Sequence, residues 1–291
     1  MTSVGAIFSP YPNAPEALPA AARAAEAAGV DELWLWEDCF RESAFAAASA
    51  ALAVTSRLHI GIGIAPMPLR NVAATAMEIA TIARIFPGRL LPGVGHGVLE
   101  WMALVGARAA SPLTLMREYV PALRSLLAGE EVTVRGRYVT LDGVCLAWPP
   151  RDVPAVYAAA EGPKTMTLSG AVADGTVLDS KHTVEEVARA VEAIRAGRAE
   201  AGRNGTPDIV SYVAAAFGPD GVDRAVSAWF SDAEQADAAD RVLGGSVDEV
   251  AAGVRRFADA GVDHVVLLPP SDEPDLAAYL GHVGEVARLV R

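Results

Sequence analysis

One joint recurs along the chain and narrows its fold more than any other feature. Ala28-Gly29-Val30-Asp31 leads into the apolar run 33–36, Ala260-Gly261-Val262-Asp263 into 265–268, and Ala173-Asp174-Gly175 into 176–178. Each reads as a helix stopped by glycine, where a positive φ costs little, and then a tight turn into a buried strand. Repetition of helix, turn and strand builds a parallel sheet with helical crossovers. Short apolar runs at 4–8, 58–64, 90–94, 155–160 and 209–217 bring the expected strands to eight. Eight strands close a (β/α)8 barrel, which takes about 250 residues. The expectation is an α/β chain whose residues 1–291 form a single TIM-barrel domain.

Helix ends are legible as well. The stretch 71–85 places Val72, Ala76, Ile79 and Ala83 on one face. Thr183 with Glu186, and Ser246 with Glu249, fit capping boxes. A doubly wound open sheet is the rival architecture, but Phe8-Ser9-Pro10-Tyr11-Pro12 stands after the first strand, where GxGxxG is absent. Two segments break the alternation. In 128–150, the pieces 131–135 and 137–140 flank Gly136 and read as a hairpin insertion, and the Ala/Asp-rich 231–241 reads as an exposed insertion.

Charge and composition exclude several function classes. The net charge is −12, and only two lysines, Lys164 and Lys181, stand among 24 basic residues, so no basic stripe serves a nucleic acid. No apolar run reaches the ~18 residues that span a bilayer, and no secretion signal opens the sequence; the expected setting is cytoplasmic, with no membrane partner. Cys39 and Cys145 lie far apart, with no CxxC unit. The histidines at 59, 96, 182, 264 and 282 form no HxH or HxxxH pair, and no metal site is expected.

In such a barrel the site is built from loops after the strands' C-terminal ends. The second strand runs into Trp36-Glu37-Asp38-Cys39-Phe40, where Glu37 and Asp38 either orient a polar ring edge or decorate a helix start. The third contains Gly61-Ile62-Gly63-Ile64, a rim bulge or ordinary core glycine packing. The fourth ends in Gly93-Val94-Gly95-His96-Gly97, whose small residues allow a planar ligand near the backbone and make His96 a hydrogen-bonding candidate or a structural histidine. The fifth ends in Ala159-Ala160-Glu161-Gly162-Pro163-Lys164. Pro163 suits a first helical turn, whose N–H groups attract a phosphate.

At these residues the chain resembles the luciferase-like monooxygenase superfamily, and within it the branch that uses the deazaflavin coenzyme F420, including the methylenetetrahydromethanopterin reductases. Three stretches carry the resemblance: the segment from Pro87-Gly88-Arg89 to Gly95-His96-Gly97; Arg117-Glu118-Tyr119 through Leu127-Ala128-Gly129-Glu130; and Ala159-Ala160-Glu161-Gly162-Pro163-Lys164 followed by Ala173-Asp174-Gly175. The resemblance implies an acid near the cofactor ring at Asp38 and a non-prolyl cis peptide at Gly63-Ile64 behind it. It implies cofactor contacts at Gly95, His96 and Gly97, a phosphate wrap from Ala159, Ala160, Glu161, Gly162, Pro163 and Lys164, and Asp179 close by. Cys39 and Val98 stand where the sugar-phosphate dehydrogenases of the group carry an acid/base His and Glu.

The expected activity is hydride transfer between F420 and a small organic substrate, with Asp38, Glu37 or His96 handling a proton. Trp36, Trp101 and Trp148 suggest a substrate with a flat or apolar part. An FMN-dependent monooxygenase and a non-catalytic flavin-binding barrel are the alternatives, and a homodimer is expected by similarity.

Overall fold

The structure is a computed structural model, and it describes residues 2–291. Eleven strands are present: β1 (Ser3–Phe8), β2 (Glu32–Leu35), β3 (His59–Pro66), β4 (Leu90–Gly95), β5 (Val132–Arg135), β6 (Thr140–Val144), β7 (Tyr157–Ala159), β8 (Gly175–Leu178), β9 (Asp208–Phe217), β10 (Val242–Gly245) and β11 (His264–Leu268). Ten α-helices accompany them: α1 (Leu18–Ala28), α2 (Ala44–Ala53), α3 (Val72–Ile85), α4 (Leu99–Leu104), α5 (Pro112–Leu127), α6 (Pro163–Val172), α7 (Val184–Glu200), α8 (Gly221–Trp229), α9 (Val247–Asp259) and α10 (Leu276–Val290).

Eight strands pair in parallel in the order β1-β2-β3-β4-β7-β8-β9-β11, and β11 returns to β1. The ring is closed, as the (β/α)8 pattern requires. Residues alternate between its two faces. On β1, Val4, Ala6 and Phe8 pack outward against the helices, whereas Ile7 joins Trp34, Tyr157, Tyr212 and Val266 in the lumen. The Trp34 indole meets Tyr157 and Tyr212 edge-on, with centroids 6.1 and 5.9 Å away. Such pairs add about 0.5–1.5 kcal/mol beyond their buried area.

The recurring joint has a physical reason that spacing alone does not reveal. Gly29 and Gly261 adopt φ of 83° and 99° at the ends of their helices. The aspartate after each turn then caps the neighbouring strand. Asp31, just before β2, accepts from the Val4 N–H of β1 at 3.0 Å. Asp263, before β11, accepts from Ile209 of β9 at 2.9 Å. Asp174, before β8, accepts from Val156, the residue before β7, at 3.1 Å and also pairs with Arg124 and Arg203. Gly175, however, has no positive φ. It is glycine for room: a Cβ there would lie 2.5 Å from the Tyr157 ring.

Two further expectations are corrected. The hairpin's second strand is Thr140–Val144, not 137–140, because the Glu118 carboxylate accepts from the N–H groups of Arg137, Tyr138 and Val139 and holds them in the turn. A ninth strand, β10, pairs with the end of β9. Its sequence, Val242-Leu243-Gly244-Gly245, has too few apolar residues to read as a strand; Gly244 is needed because a Cβ there would meet the Val222 nitrogen of α8 at 2.2 Å. The capping boxes at Thr183 and Ser246 form as the sequence suggests.

Candidate functional site

The strands' C-terminal ends surround a cavity of about 620 Å³. The loop after β1 brings Tyr11 to it. The residues after β2 bring Trp36, Glu37 and Asp38, and β3 brings Gly63 and Ile64. The loop after β4 supplies His96 and Gly97 and runs into Val98, Leu99, Glu100 and Trp101. The ends of β7 and β8 supply Ala159, Ala160, Glu161, Asp179 and Lys181. Tyr212 from β9 and Trp229 from α8 complete the wall.

Ten of the fourteen residues expected to contact cofactor or carry a proton therefore meet at one cavity: Glu37, Asp38, Gly63, Ile64, His96, Gly97, Ala159, Ala160, Glu161 and Asp179. Four do not line it. Gly95 lies behind Ile64, whose side chain would be 2.9 Å from a Cβ at that glycine. Gly162, Pro163 and Lys164 form the start of α6, one step beyond Glu161. The Gly162 N–H donates to Thr165 Oγ1 at 3.2 Å, so the anion-attracting groups of this end are the backbone N–H groups of Lys164 and Thr165. Trp148 is not at the site. It is 72% exposed, beneath the Arg84 guanidinium.

Gly63 is small because Tyr212 requires it. A Cβ there would fall 1.6 Å from the Tyr212 hydroxyl, which instead donates to the Gly63 carbonyl oxygen at 3.1 Å. The Gly63-Ile64 peptide is cis, and the β3–β4 register shifts between Ile62 and Ala65. Gly61 is ordinary packing under the Trp34 ring.

Two acids hold the loop after β2. Glu37 accepts from Arg70 at 2.6 Å, and Arg70 also reaches Glu78 at 3.1 Å. Burial pushes the Glu37 carboxyl up, and Arg70 pulls it part of the way back. Asp38 accepts from the Tyr11 hydroxyl at 2.8 Å. Burial raises Asp38 against the opposing effects of Tyr11 and Arg41, while burial and the bond to Asp38 push Tyr11 up to about 12. Across the cavity Asp179 pairs with His182 at 2.8 Å. Burial works against the Asp179 carboxylate, but His182 and Lys181 hold it below its ordinary range. His96 Nδ1 lies 2.6 Å from the Gly97 carbonyl oxygen.

Rings dominate the remaining wall. Trp36 is edge-on to Trp229 at 5.9 Å and to Tyr11 at 6.4 Å. Trp229 Nε1 donates to the Pro269 carbonyl oxygen at 2.9 Å, which fixes the indole. Tyr11, Tyr212 and Trp229 were missed in the sequence. Tyr11 follows the first strand and was open to the loop rule; Tyr212 sits two residues from Val210 on the lumen face of β9. No group of three or more His, Cys, Asp or Glu among the described residues is placed to hold a metal ion. No helix among them is long and apolar enough to cross a membrane.

A closed parallel barrel with an aromatic-walled cavity at its C-terminal rim, lined from seven strands and the segments that follow them, defines the class: a TIM barrel. The chain belongs to the luciferase-like monooxygenase family, whose sequence model matches residues 2–230. It is 32% identical over 192 residues to the 5,10-methylenetetrahydromethanopterin reductase of Methanolobus tindarius, a stretch covering 66% of this chain and 58% of that protein. The chain thus matches less than two thirds of that relative's length. Among solved structures it is similar to an F420-dependent secondary alcohol dehydrogenase in complex with an F420-acetone adduct, with a TM-score of 0.87 and 25% identity over 100% of this chain and 99% of the other. The FMN complex of the oxygenating constituent of 3,6-diketocamphane monooxygenase from Pseudomonas putida shares the fold, with a TM-score of 0.80 and 18% identity over 100% and 99% of the two chains.

Proposed function

We propose that this chain is a coenzyme F420-dependent oxidoreductase that transfers a hydride between the deazaflavin and a small organic substrate with a flat or apolar part. The observation that carries the reading is the cavity itself. Its volume of about 620 Å³ falls within the ~300–1,000 Å³ of small-molecule sites, and Ile64, small rim residues and a ring wall enclose it. Likeness to two F420- or methanopterin-linked oxidoreductases supports the deazaflavin.

The residues present fit such a group. Gly63, Gly97, Ala159 and Ala160 leave space for a planar ring beside the backbone. The start of α6, with Gly162, Pro163 and Lys164, offers backbone N–H groups to a phosphate outside the cavity, and Lys181, paired with Glu234 at 3.2 Å, lines the rim. When bound, a deazaflavin supplies or accepts the hydride. The chain supplies position and dryness. Trp36, Trp101 and Trp229 exclude water and offer a substrate flat surfaces. Asp38, whose carboxyl burial raises and whose Oδ2 accepts from Tyr11 at 2.8 Å, is the acid that lines the cavity and would hand a proton to a substrate. Glu37 supports the loop through Arg70. His96, with Nδ1 held at Gly97, offers Nε2 to a ligand.

The likeness to an FMN complex favours a second reading, an FMN-dependent monooxygenase. One experiment separates them: titration of the purified protein with F420 and with FMN, followed by oxygen uptake in the presence of the reduced cofactor. The proposal expects F420 to bind below about 100 μM without oxygen consumption. Tighter FMN binding with oxygen uptake would favour the second reading, and failure of both cofactors to bind would end both.

A further inference from the structure

Next to the main cavity lies a second one of about 400 Å³, walled by Pro10, Pro12, Phe40, Arg41 and Glu42. Tyr11 lines both. The partition between them is therefore a single tyrosine whose hydroxyl donates to Asp38, on the side of the main cavity, and whose ring carries the Arg41 guanidinium 4.0 Å from its centroid. Behind this partition stands Glu42. Both of its carboxyl oxygens are buried, and neither has a hydrogen-bond partner among the described residues. A carboxylate shut away from water with no donor pays a penalty of several kcal/mol, which it escapes by taking a proton.

Glu42 and Asp38 lie four residues apart on one loop, tightened by the Arg41 N–H donating to the Asp38 carbonyl oxygen at 2.9 Å. The titratable groups that face Asp38 are Tyr11 from the loop after β1, Cys39, Arg41 and Glu42 from its own loop, and Tyr212 from β9. Of these, Glu42 is the one with an unused acid group and a second exit, because it lines the outer cavity and Asp38 lines the inner one.

We propose that Glu42 is the proton reserve for Asp38, so that protons enter the site from the outer cavity and not past the bound substrate. This rests on the reading of the barrel as an F420-dependent oxidoreductase. When a carbonyl is reduced, its carbon gains the hydride of the reduced deazaflavin and its oxygen gains the proton of Asp38. Asp38, left as carboxylate, regains a proton from Glu42, and Glu42, which lines the outer cavity, regains one from water there when its carboxyl turns outward. Charge and protons balance at each transfer. Burial and the nearby Asp38 charge lift Glu42 to about 7, a value at which it exchanges a proton readily at neutral pH. Glu42 acts through Asp38 and is a positioning residue of the proton, not a group that touches substrate.

Carboxyl carbon NMR on the protein without added cofactor tests the pair directly. In wild type, Glu42 is expected to titrate near neutrality; in Glu42→Gln that signal disappears, and in Asp38→Asn the Glu42 midpoint moves down, since the Asp38 charge that helps to lift it has been removed. Glu42→Gln is nearly isosteric, and a wild-type thermal transition checks its folding; Glu42→Leu serves as a second variant if it fails. With F420 and substrate, Glu42→Gln is expected to lower kcat about tenfold at neutral pH with KM unchanged and to shift the limb of the pH profile that belongs to Asp38. Titration of Glu42 in the ordinary carboxylate range, or a Glu42 midpoint that does not move in Asp38→Asn, overturns the proposal. Because the titration needs no cofactor, it decides the pair even where F420 fails to bind and the functional reading falls.

Discussion

The Tyr212 hydroxyl occupies the volume a side chain at residue 63 would need, and from there it donates to the Gly63 carbonyl oxygen at 3.1 Å. The lumen of the barrel and the floor of its cavity are thus fastened by one contact. Gly63→Ala would drive a methyl group against that hydroxyl, and overpacking of this kind costs about 1–3 kcal/mol. Thermal denaturation of Gly63→Ala, Tyr212→Phe and the double variant checks it. The double variant is expected to lose less than the sum of the two singles, because Phe removes the clashing oxygen. Additive losses would mean that some other contact keeps residue 63 a glycine.

The aspartate at each recurring joint makes a second prediction. Asp263 accepts from the Ile209 N–H at 2.9 Å, and removing the acceptor strands that donor at the base of the barrel. Asp263→Ala should cost about 1–2 kcal/mol in urea unfolding, and Asp263→Asn less, since its amide oxygen still accepts. Equal losses in the two variants would show that the hydrogen bond contributes nothing.

At the N-terminal end of the lumen His264 Nδ1 lies 2.6 Å from Glu32, which also accepts from Trp34 Nε1 at 2.8 Å. Burial works against both charges, but the pair outweighs it: Glu32 is lowered and His264 raised from their ordinary values of 4.5 and 6.5. The raised histidine stabilises the fold fully below its unfolded value and loses that contribution as pH rises through its folded one. The lowered glutamate stabilises above its unfolded value and loses it as pH falls through its folded one. Their joint contribution is greatest between about pH 4.5 and 6.5. Unfolding midpoints measured across pH should decline above that window in wild type and flatten in His264→Gln. An unchanged slope in the variant would exclude the pair as the source.

Much of this architecture was readable because the barrel repeats its grammar. Apolar runs bounded by glycine gave the strands, and Thr183 and Ser246 gave helix starts. His96 and Ala160 were singled out because loops after strands carry the site in such a fold, and Gly63 through the family resemblance; all three line the cavity. What stayed hidden depends on contacts between segments distant in sequence. Nothing local shows that Gly175 makes room for Tyr157 while Gly29 serves a turn, or that Glu118 shapes a hairpin 19 residues away. Tyr212 and Trp229 reach the cavity only once the ring closes, and Trp148, equally aromatic, faces outward on the hairpin side.

Trp229 offers a test of the aromatic wall. Its ring stands edge-on to Trp36, and its Nε1 is tied to Pro269. Truncation to alanine removes stacking area used alike by bound substrate and transition state, which raises KM with little effect on kcat. About tenfold is expected, with Trp229→Phe intermediate because it keeps a ring and loses the tether. A fall in kcat at unchanged KM would move Trp229 from substrate binding to the chemical step.

Asp38 carries the heaviest expectation. Its Oδ2 holds the Tyr11 hydroxyl at 2.8 Å, and burial raises its carboxyl above the ordinary range. A group so placed keeps its proton to higher pH than a surface aspartate, and reduction should slow as pH rises through its midpoint. Asp38→Asn retains an oxygen for Tyr11 and the shape of the loop, but it has no acid proton to give. It is expected to lower kcat by about 10²–10⁴ and to abolish the basic limb of the pH profile, while F420 binds as before. Tyr11→Phe should lower kcat more weakly, by freeing the carboxyl from its partner, and move the basic limb to higher pH, since the hydroxyl opposes the rise of Asp38. Cofactor titration and pH-dependent turnover measured on the same preparations distinguish a lost proton from a lost binding site: weaker cofactor binding with a normal pH profile would place Asp38 among the residues that hold the ring.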